Sequence, residues 1–496
     1  MTAIGKAVIV GGGIDAWLAA NALLTAFGRT GLSVEVIETP APRPAGAARA
    51  STPGFRAFLS LIGIVESDLL RAAQGSYCLA QRNVGWRGDG TSFLRGYGPI
   101  GIPIARLPFL PFWVKARRHG MHVDLASFST AAVAAGNGRA PGRSATASAG
   151  APIDYGYQFD LGGCVALLAA AARHRGAMVT TATAVMPLRD SATGRIDTIR
   201  LADGRTVSGD IFIDATGAEM KLGPALNDAE RSRRRGDPDR LFVASAPRAG
   251  PLYPLTTVTA HPHGWLTTIA LRDRIALQMS FAGDRLSDDA AARTAEALAG
   301  APLDRGGVIA LESHRRAAPW AGNCVAIGNA ACAGPDLDGA ELQRLQISVA
   351  HLVSLFPLGA DMATEAAIYN ERVAEHFDRL DDGMDARRRL NARSGEPFWD
   401  EARAAPISDR LTHRLAVFAA RGIMPLYQDE SLGEEDWQAL LIGMGVIPES
   451  YDPQIDRVPD SEAIGRIQSL LGAIRREVEA MPPHEQALAE AMAPRR

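Results

Sequence analysis

The stretch that decides the reading is Ala7 to Glu38, AVIVGGGIDAWLAANALLTAFGRTGLSVEVIE. A short apolar run, Ala7 to Val10, ends in three glycines. It passes into a segment with apolar residues at Trp17, Leu18, Ala20, Leu23 and Leu24. That spacing predicts an amphipathic helix, and Ser33 to Ile37 reads as a second strand. Gly11-x-Gly13-x-x-Ala16 therefore sits between strand and helix, as a dinucleotide-binding βαβ unit requires. Gly11 allows the tight turn, Gly13 lets the backbone approach a pyrophosphate, and Ala16 lets the helix pack closely on the strand. The N–H groups at the helix start are then offered to the phosphates. Glu38 ends the second strand, placed to accept hydrogen bonds from a ribose. A purely structural glycine turn is the alternative, and the strand–turn–helix–strand context with its terminal acid weighs against it.

Composition sets the outer limits. A chain of 496 residues can hold two or three packed units. A net charge of -3 with 47% hydrophobic residues describes an ordinary soluble protein with no basic surface for nucleic acid. No apolar run is long enough to span a bilayer, and the N-terminus leads into a strand rather than a signal peptide. Cys78, Cys164, Cys324 and Cys332 are scattered without CxxC spacing, which fits a reduced cytoplasm and speaks against a zinc site. Lysine occurs only at Lys6, Lys115 and Lys221.

Along the chain, a Pro/Ala-rich loop, Thr39 to Ala50, precedes a helical segment around Phe55 to Ile62. Ala131 to Gly150 is low in complexity and reads as a mobile surface loop. Cys164 to Arg175 is strongly helical. Strand signals follow at Met178 to Val185, Arg195 to Leu201 and Thr206 to Ile213, with Asp203-Gly204 turning a hairpin between the last two. The third strand closes in Asp214-Ala-Thr-Gly217, a second dinucleotide-fold mark for which a plain turn is equally open. A third mark is Trp320 to Gly328. Three such marks in this order are the arrangement of FAD-binding oxygenases, so FAD is the expected cofactor. Leu241 to Phe281 alternates apolar and polar residues, as an antiparallel sheet inserted over the flavin would. The expected fold is thus α/β: an FAD-binding domain over 1–357 carrying a substrate sheet at about 225–310, then a helical unit over 358–496.

With these marks placed, the chain resembles the flavin-dependent tryptophan halogenase family. Val10-Gly-Gly-Gly-Ile-Asp-Ala-Trp-Leu-Ala-Ala20 resembles its GGGxxGWxAA, and Arg49-Ala-Ser-Thr-Pro53 falls where it has EATxP. Tyr155 to Asp160 matches its YxWHFD, and Trp320 to Gly328 its WxGNCVxIG. Cys332 to Pro357 runs through its EPLEST region, and Gly443 to Pro448 is similar to its C-terminal helices. The resemblance implies that reduced FAD, supplied by a separate flavin reductase, activates oxygen so that a bound halide becomes hypohalous acid. A lysine and a glutamate then direct that species onto tryptophan or another indole. It also implies FAD contacts at Gly11, Gly13, Ala16, Glu38, Val185, Asp214, Gly217, Gly328 and Leu342. No nucleic-acid or membrane partner is expected, and a homodimer is one assembly open to the chain.

The departures fall on the residues that carry this chemistry. Cys78 stands at the lysine position and Asp338 at the glutamate position, and these are the catalytic candidates. Ala340 and Glu341 hold the halide position, where Glu341 would set a negative charge beside an anion. Phe112, after Pro111 at the family's histidine, and Trp265 fall at the substrate pocket. Each has a plainer reading. Cys78 would be a buried small residue, Asp338 a helix N-cap, Trp265 sheet core, and Arg82 either a pocket cation or a solvated side chain. Two functions stand: an oxygenating or halogenating enzyme, or a flavin-binding relative that has become an accessory or regulatory protein.

Overall fold

The strand Lys6–Val10 lies inside a six-stranded sheet in a computed structural model that describes residues 4–41, 44–142, 153–223, 226, 229–231 and 236–494. Its parallel neighbours are Ile211–Asp214 on one side and Ser33–Glu38 on the other. Cys324–Ala326 and Met178–Thr181 extend the sheet outward, again in parallel. The three sequence marks therefore end on adjacent parallel strands. Their continuous apolar runs suit strands covered on both faces.

The helix Ile14–Phe27 packs on the helices Leu161–His174 and Ala340–Ser354. Between Ile14 and Leu24 every residue but Asp15 is buried. The expected amphipathic helix is thus enclosed on all sides except in its last turn, because elements cover both flanks.

The second sheet has seven strands. Asp304–Ala310, Arg240–Pro247, Arg274–Phe281, Gly264–Ala270 and Leu255–His261 form the expected antiparallel insertion. Ala80–Val84 joins it in parallel to Leu255–His261, and Ser92–Gly96 completes the edge. One face of this sheet carries Gln81, Arg95, Thr256, Thr267 and Gln278 in neighbouring registers. That polar face bears on the site.

Two strand expectations divide. Met178 to Val185 splits between Met178–Thr181 in the parallel sheet and Val185–Arg189 in a small antiparallel one. Thr206 to Ile213 likewise breaks into Thr206–Ser208 and Ile211–Asp214. The hairpin across Asp203-Gly204 forms as read.

The expectation of a mobile loop at Ala131 to Gly150 is wrong over its first part. Thr130–Gly136 is a helix capped by the Ser129 side chain, and Ala131, Ala132, Ala134 and Ala135 are buried. Small side chains let it pack directly on Ser92–Gly96 and on Asp460–Ala480. Residues 143–150 of that expectation lie outside the described residues.

From Ala363 on the chain is helical, from Ala363–Leu390 to His484–Met492. One apolar core runs from Ala7 in the first strand to Leu488 in the last helix. Among the described residues no helix is long and apolar enough to cross a membrane.

Candidate functional site

The site begins at the glycine turn. Gly11 has φ +147° and donates its amide to Ile37 O at 3.0 Å. A side chain at Gly11 would strike the Ala215 carbonyl, and one at Gly12 the Thr39 carbonyl. At Gly13 no atom lies within 4 Å of where a Cβ would stand. Gly13 is the N-cap of Ile14–Phe27 and no side chain caps that helix. The turn is thus closed toward the sheet and open over the helix start, which fits the pyrophosphate of FAD. Ala16 is fully buried against the strand.

Glu38 ends its strand as expected, and its carboxylate is held 3.3 Å from Arg173. Asp214 turns inward rather than toward a ligand. It accepts from the Thr216 hydroxyl at 2.6 Å and the Leu222 amide at 2.9 Å, and burial pushes its carboxyl up. Its role is to fold the loop that begins at Gly217, where φ is +62°. Gly328 opens a short 3-10 turn, Leu342 is buried on the helix Ala340–Ser354, and Val185 starts its small sheet.

Beside the glycine turn lies a charged cluster. Arg49 reaches Glu341 at 2.8 Å, and Asn329 donates to the other Glu341 oxygen at 2.8 Å. The Glu341 amide donates to Asp336 at 3.2 Å. Asp15 completes the group: burial, then the Glu341 charge, pushes its carboxyl up to about 7. Burial and Glu341 likewise push Asp336 up to about 6. Glu341 is therefore no bare negative charge, since Arg49 neutralises it. Ala340 is buried at the first position of the helix, beside Gly339 at its N-cap.

A second cluster surrounds Asp338. Its carboxylate lies 2.5 Å from Arg387 and 2.9 Å from Arg95, both guanidinium groups 1% exposed. Burial works to raise its pKa, and the Arg387 and Arg95 charges outweigh that and hold it below the usual carboxylate range. Asp338 is a fixed anion, and the N-cap reading is wrong because Gly339 occupies that place. Cys78 is fully buried nearby, 3.4 Å from Thr256 Oγ1, and burial pushes its thiol up. It is packed as a small core residue and not activated as a nucleophile. Tyr97 interacts with both Cys78 and Arg95, so the two catalytic candidates do share one neighbourhood.

Two cavities have Tyr97 as a common wall there. A small one of about 20 Å³ lies between the polar sheet face and Asp336–Gly339, with Tyr97 on its wall. A larger one of about 550 Å³ opens on the far side of Tyr97 and Arg95. Pro53, Ile347, His376, Glu430 and Asp436 are among its walls. Phe112 and Trp265 do not line it. Phe112 is buried in the helix Phe109–Arg118, and Trp265 packs with its ring 6.4 Å from Trp86.

The lysines stand elsewhere, Lys6 paired with Glu35, Lys115 with Asp456 and Asp460, and Lys221 with Glu219. Arg82 alternates with Gln81 along its strand and so points away from the small cavity. The cations that matter, Arg95 and Arg387, escape sequence reading because each sits in an unremarkable stretch. The Arg49–Glu341 pair did leave a signal: Arg49 at the first position of the EATxP motif and Glu341 at the halide position are two departures of opposite charge.

Comparison with known proteins agrees with this architecture. The chain is 26% identical to the 7-chloro-L-tryptophan 6-halogenase KtzR of Kutzneria sp. (strain 744), over 97% of this chain and 98% of that protein. It is 23% identical to the tryptophan 7-halogenase RebH of Lentzea aerocolonigenes, over 95% of each. The structure of BrvH, a flavin-dependent halogenase from Brevundimonas sp. BAL3, superposes with a TM-score of 0.90 at 27% identity, covering 99% of both chains. The family profile described as tryptophan halogenase spans residues 6–460. The chain is a member of the tryptophan halogenase family.

Proposed function

We propose that the protein is an FAD-dependent oxidoreductase of the cytoplasm that oxidises an electron-rich small aromatic molecule, an indole or a related ring. Reduced FAD would come from a separate flavin reductase and supply the electrons with which dioxygen is activated. Gly11, Gly13 and Ala16 would hold the pyrophosphate, with Glu38, Val185, Gly217, Gly328 and Leu342 around the rest of the cofactor and Asp214 acting only by folding the loop at Gly217. Residues 1–357 would form the FAD-binding part and 358–496 a helical part that completes one wall of the larger cavity.

The observation that carries this reading is that Tyr97 walls both cavities, with Arg95 on the larger one and Asp338 on the smaller. A ring in the larger cavity would lie across Tyr97 from the small one, and Asp338 would hold Arg95 in place on the larger cavity's wall. Oxygen transfer is favoured over halide transfer. The halide position at Ala340 and Glu341 is filled by a carboxylate already matched to Arg49. An accessory role without catalysis is the weaker reading, since such a role needs neither cavity.

The test is incubation of the purified protein with FAD, a flavin reductase, NADH, oxygen and a set of indoles and phenols, with products read by mass spectrometry. An oxidised aromatic product that requires FAD supports the proposal. FAD binding without any product from an electron-rich ring would point to the accessory role.

A further inference from the structure

Glu38 leaves its strand right beside the glycine turn: a Cβ placed on Gly12 would lie 3.5 Å from Glu38 Cγ. One carboxylate oxygen, Oε2, is held 3.3 Å from Arg173 Nη2. The other, Oε1, has no hydrogen-bond partner among the described residues. The side chain is 34% exposed, so this carboxylate is open to a ligand at the turn.

Packing delivers Arg173 to that carboxylate. It stands in the last turn of the helix Leu161–His174, which packs on Ile14–Phe27. Asn21 locks the two helices together, its buried amide donating to Leu168 O and Trp17 O, both at 2.8 Å. The Arg173 guanidinium then lies over the Trp17 ring, 4.8 Å from its centroid. Trp17 has no exposed surface, so that ring is a fixed platform. A half-exposed ion pair is weak on its own, because two long side chains must be ordered to form it. Here the stacking on Trp17 has already ordered the guanidinium.

We infer that Arg173 is a positioning residue for the adenosine half of FAD. It holds Glu38 by Oε2 and leaves Oε1 to accept from a ribose hydroxyl, next to the pyrophosphate at Gly11 and Gly13. The helix start offers N–H groups to phosphates and no acceptor to the sugar, so the ribose is read by this carboxylate. Trp17 acts one step further back, as the surface on which Arg173 lies. The inference rests on FAD lying at the glycine turn, and the experiment separates the two.

Flavin fluorescence of the flavin-free protein titrated with FAD reads the affinity, with ADP and 2′-deoxy-ADP as competitors. The unmodified protein should bind ADP at least about threefold more tightly than 2′-deoxy-ADP, for the hydroxyl that Glu38 accepts from. Arg173→Ala should weaken FAD by about fivefold and cut the ADP preference to about twofold or less, with the melting temperature unchanged. On a Glu38→Ala background the same change should cost no further affinity, since Arg173 acts through Glu38. Unaltered FAD affinity in Arg173→Ala, an ADP preference absent from the start or undiminished in that variant, or additive losses in the double variant would each overturn the inference while FAD at the turn stands. Failure of the unmodified protein to bind FAD would overturn both.

Discussion

Arg49 lies 2.8 Å from Glu341, and it is the cation paired with the acid that Asp15 and Asp336 both feel. Removing it should cost far more than removing Glu341. Arg49→Ala leaves three half-buried carboxyl groups without their cation and should lower stability by about 2 kcal/mol in urea unfolding at pH 8. Glu341→Gln keeps a counter-charge for Asp15 and Asp336, so its loss should be less than half as large. Equal losses in the two variants would contradict the arrangement.

The same cluster sets a pH dependence. Asp15 titrates near 7 in the folded chain against 3.8 for an ordinary aspartate. The folded state therefore holds its proton longer, and stability falls as pH rises from about 4 to 7, where the unfolded state has already ionised. Asp15→Asn removes that loss. Relative to wild type, the variant should gain on the order of 2 to 4 kcal/mol between pH 4 and pH 8. Thermal melts at the two pH values would show it, and a constant difference between the proteins would speak against a raised Asp15.

Gly12 and Gly13 should separate folding from binding. A Cβ at Gly12 collides with the Thr39 carbonyl, whereas one at Gly13 enters open space. Gly12→Ala should lower the melting temperature of the apoprotein. Gly13→Val should leave the apoprotein melting close to wild type and lose FAD affinity by tenfold or more, about 1.4 kcal/mol. Unchanged FAD affinity in Gly13→Val, read by flavin fluorescence, would remove the cofactor from this turn.

Local patterns were legible and long-range pairings were not. The turn from Val10 to Ile14 could be read because strand, glycines and helix follow one another in the chain. The alanine-rich helix Thr130–Gly136 was misread because composition suggests a loop, while burial there depends on a distant helix, Asp460–Ala480. Asp338 was placed beside Cys78 through the resemblance. Its ionisation state depends on Arg95 and Arg387, which come from a sheet edge and a helix far apart in sequence. No local signal marks either arginine.

Asp338 is the counter-charge for Arg387 and the nearer of two for Arg95. Asp338→Asn leaves Arg387 without its anion and Arg95 with only Asp436 at 3.5 Å, and should lower stability by about 3 kcal/mol. Adding Arg387→Met should recover part of that loss, because the unmatched charge is gone. A double variant no more stable than Asp338→Asn in chemical unfolding would mean that Arg387 is not matched to Asp338.

The most direct test of oxygen transfer is one reaction run with and without bromide. The protein, FAD, flavin reductase, NADH and an electron-rich indole or phenol are combined, and products are resolved by mass spectrometry. The arrangement of Arg49 and Glu341 predicts an oxygenated product formed in equal yield under both conditions, with no brominated product above the level given by free hypobromous acid. Regioselective bromination by the unmodified protein would contradict it.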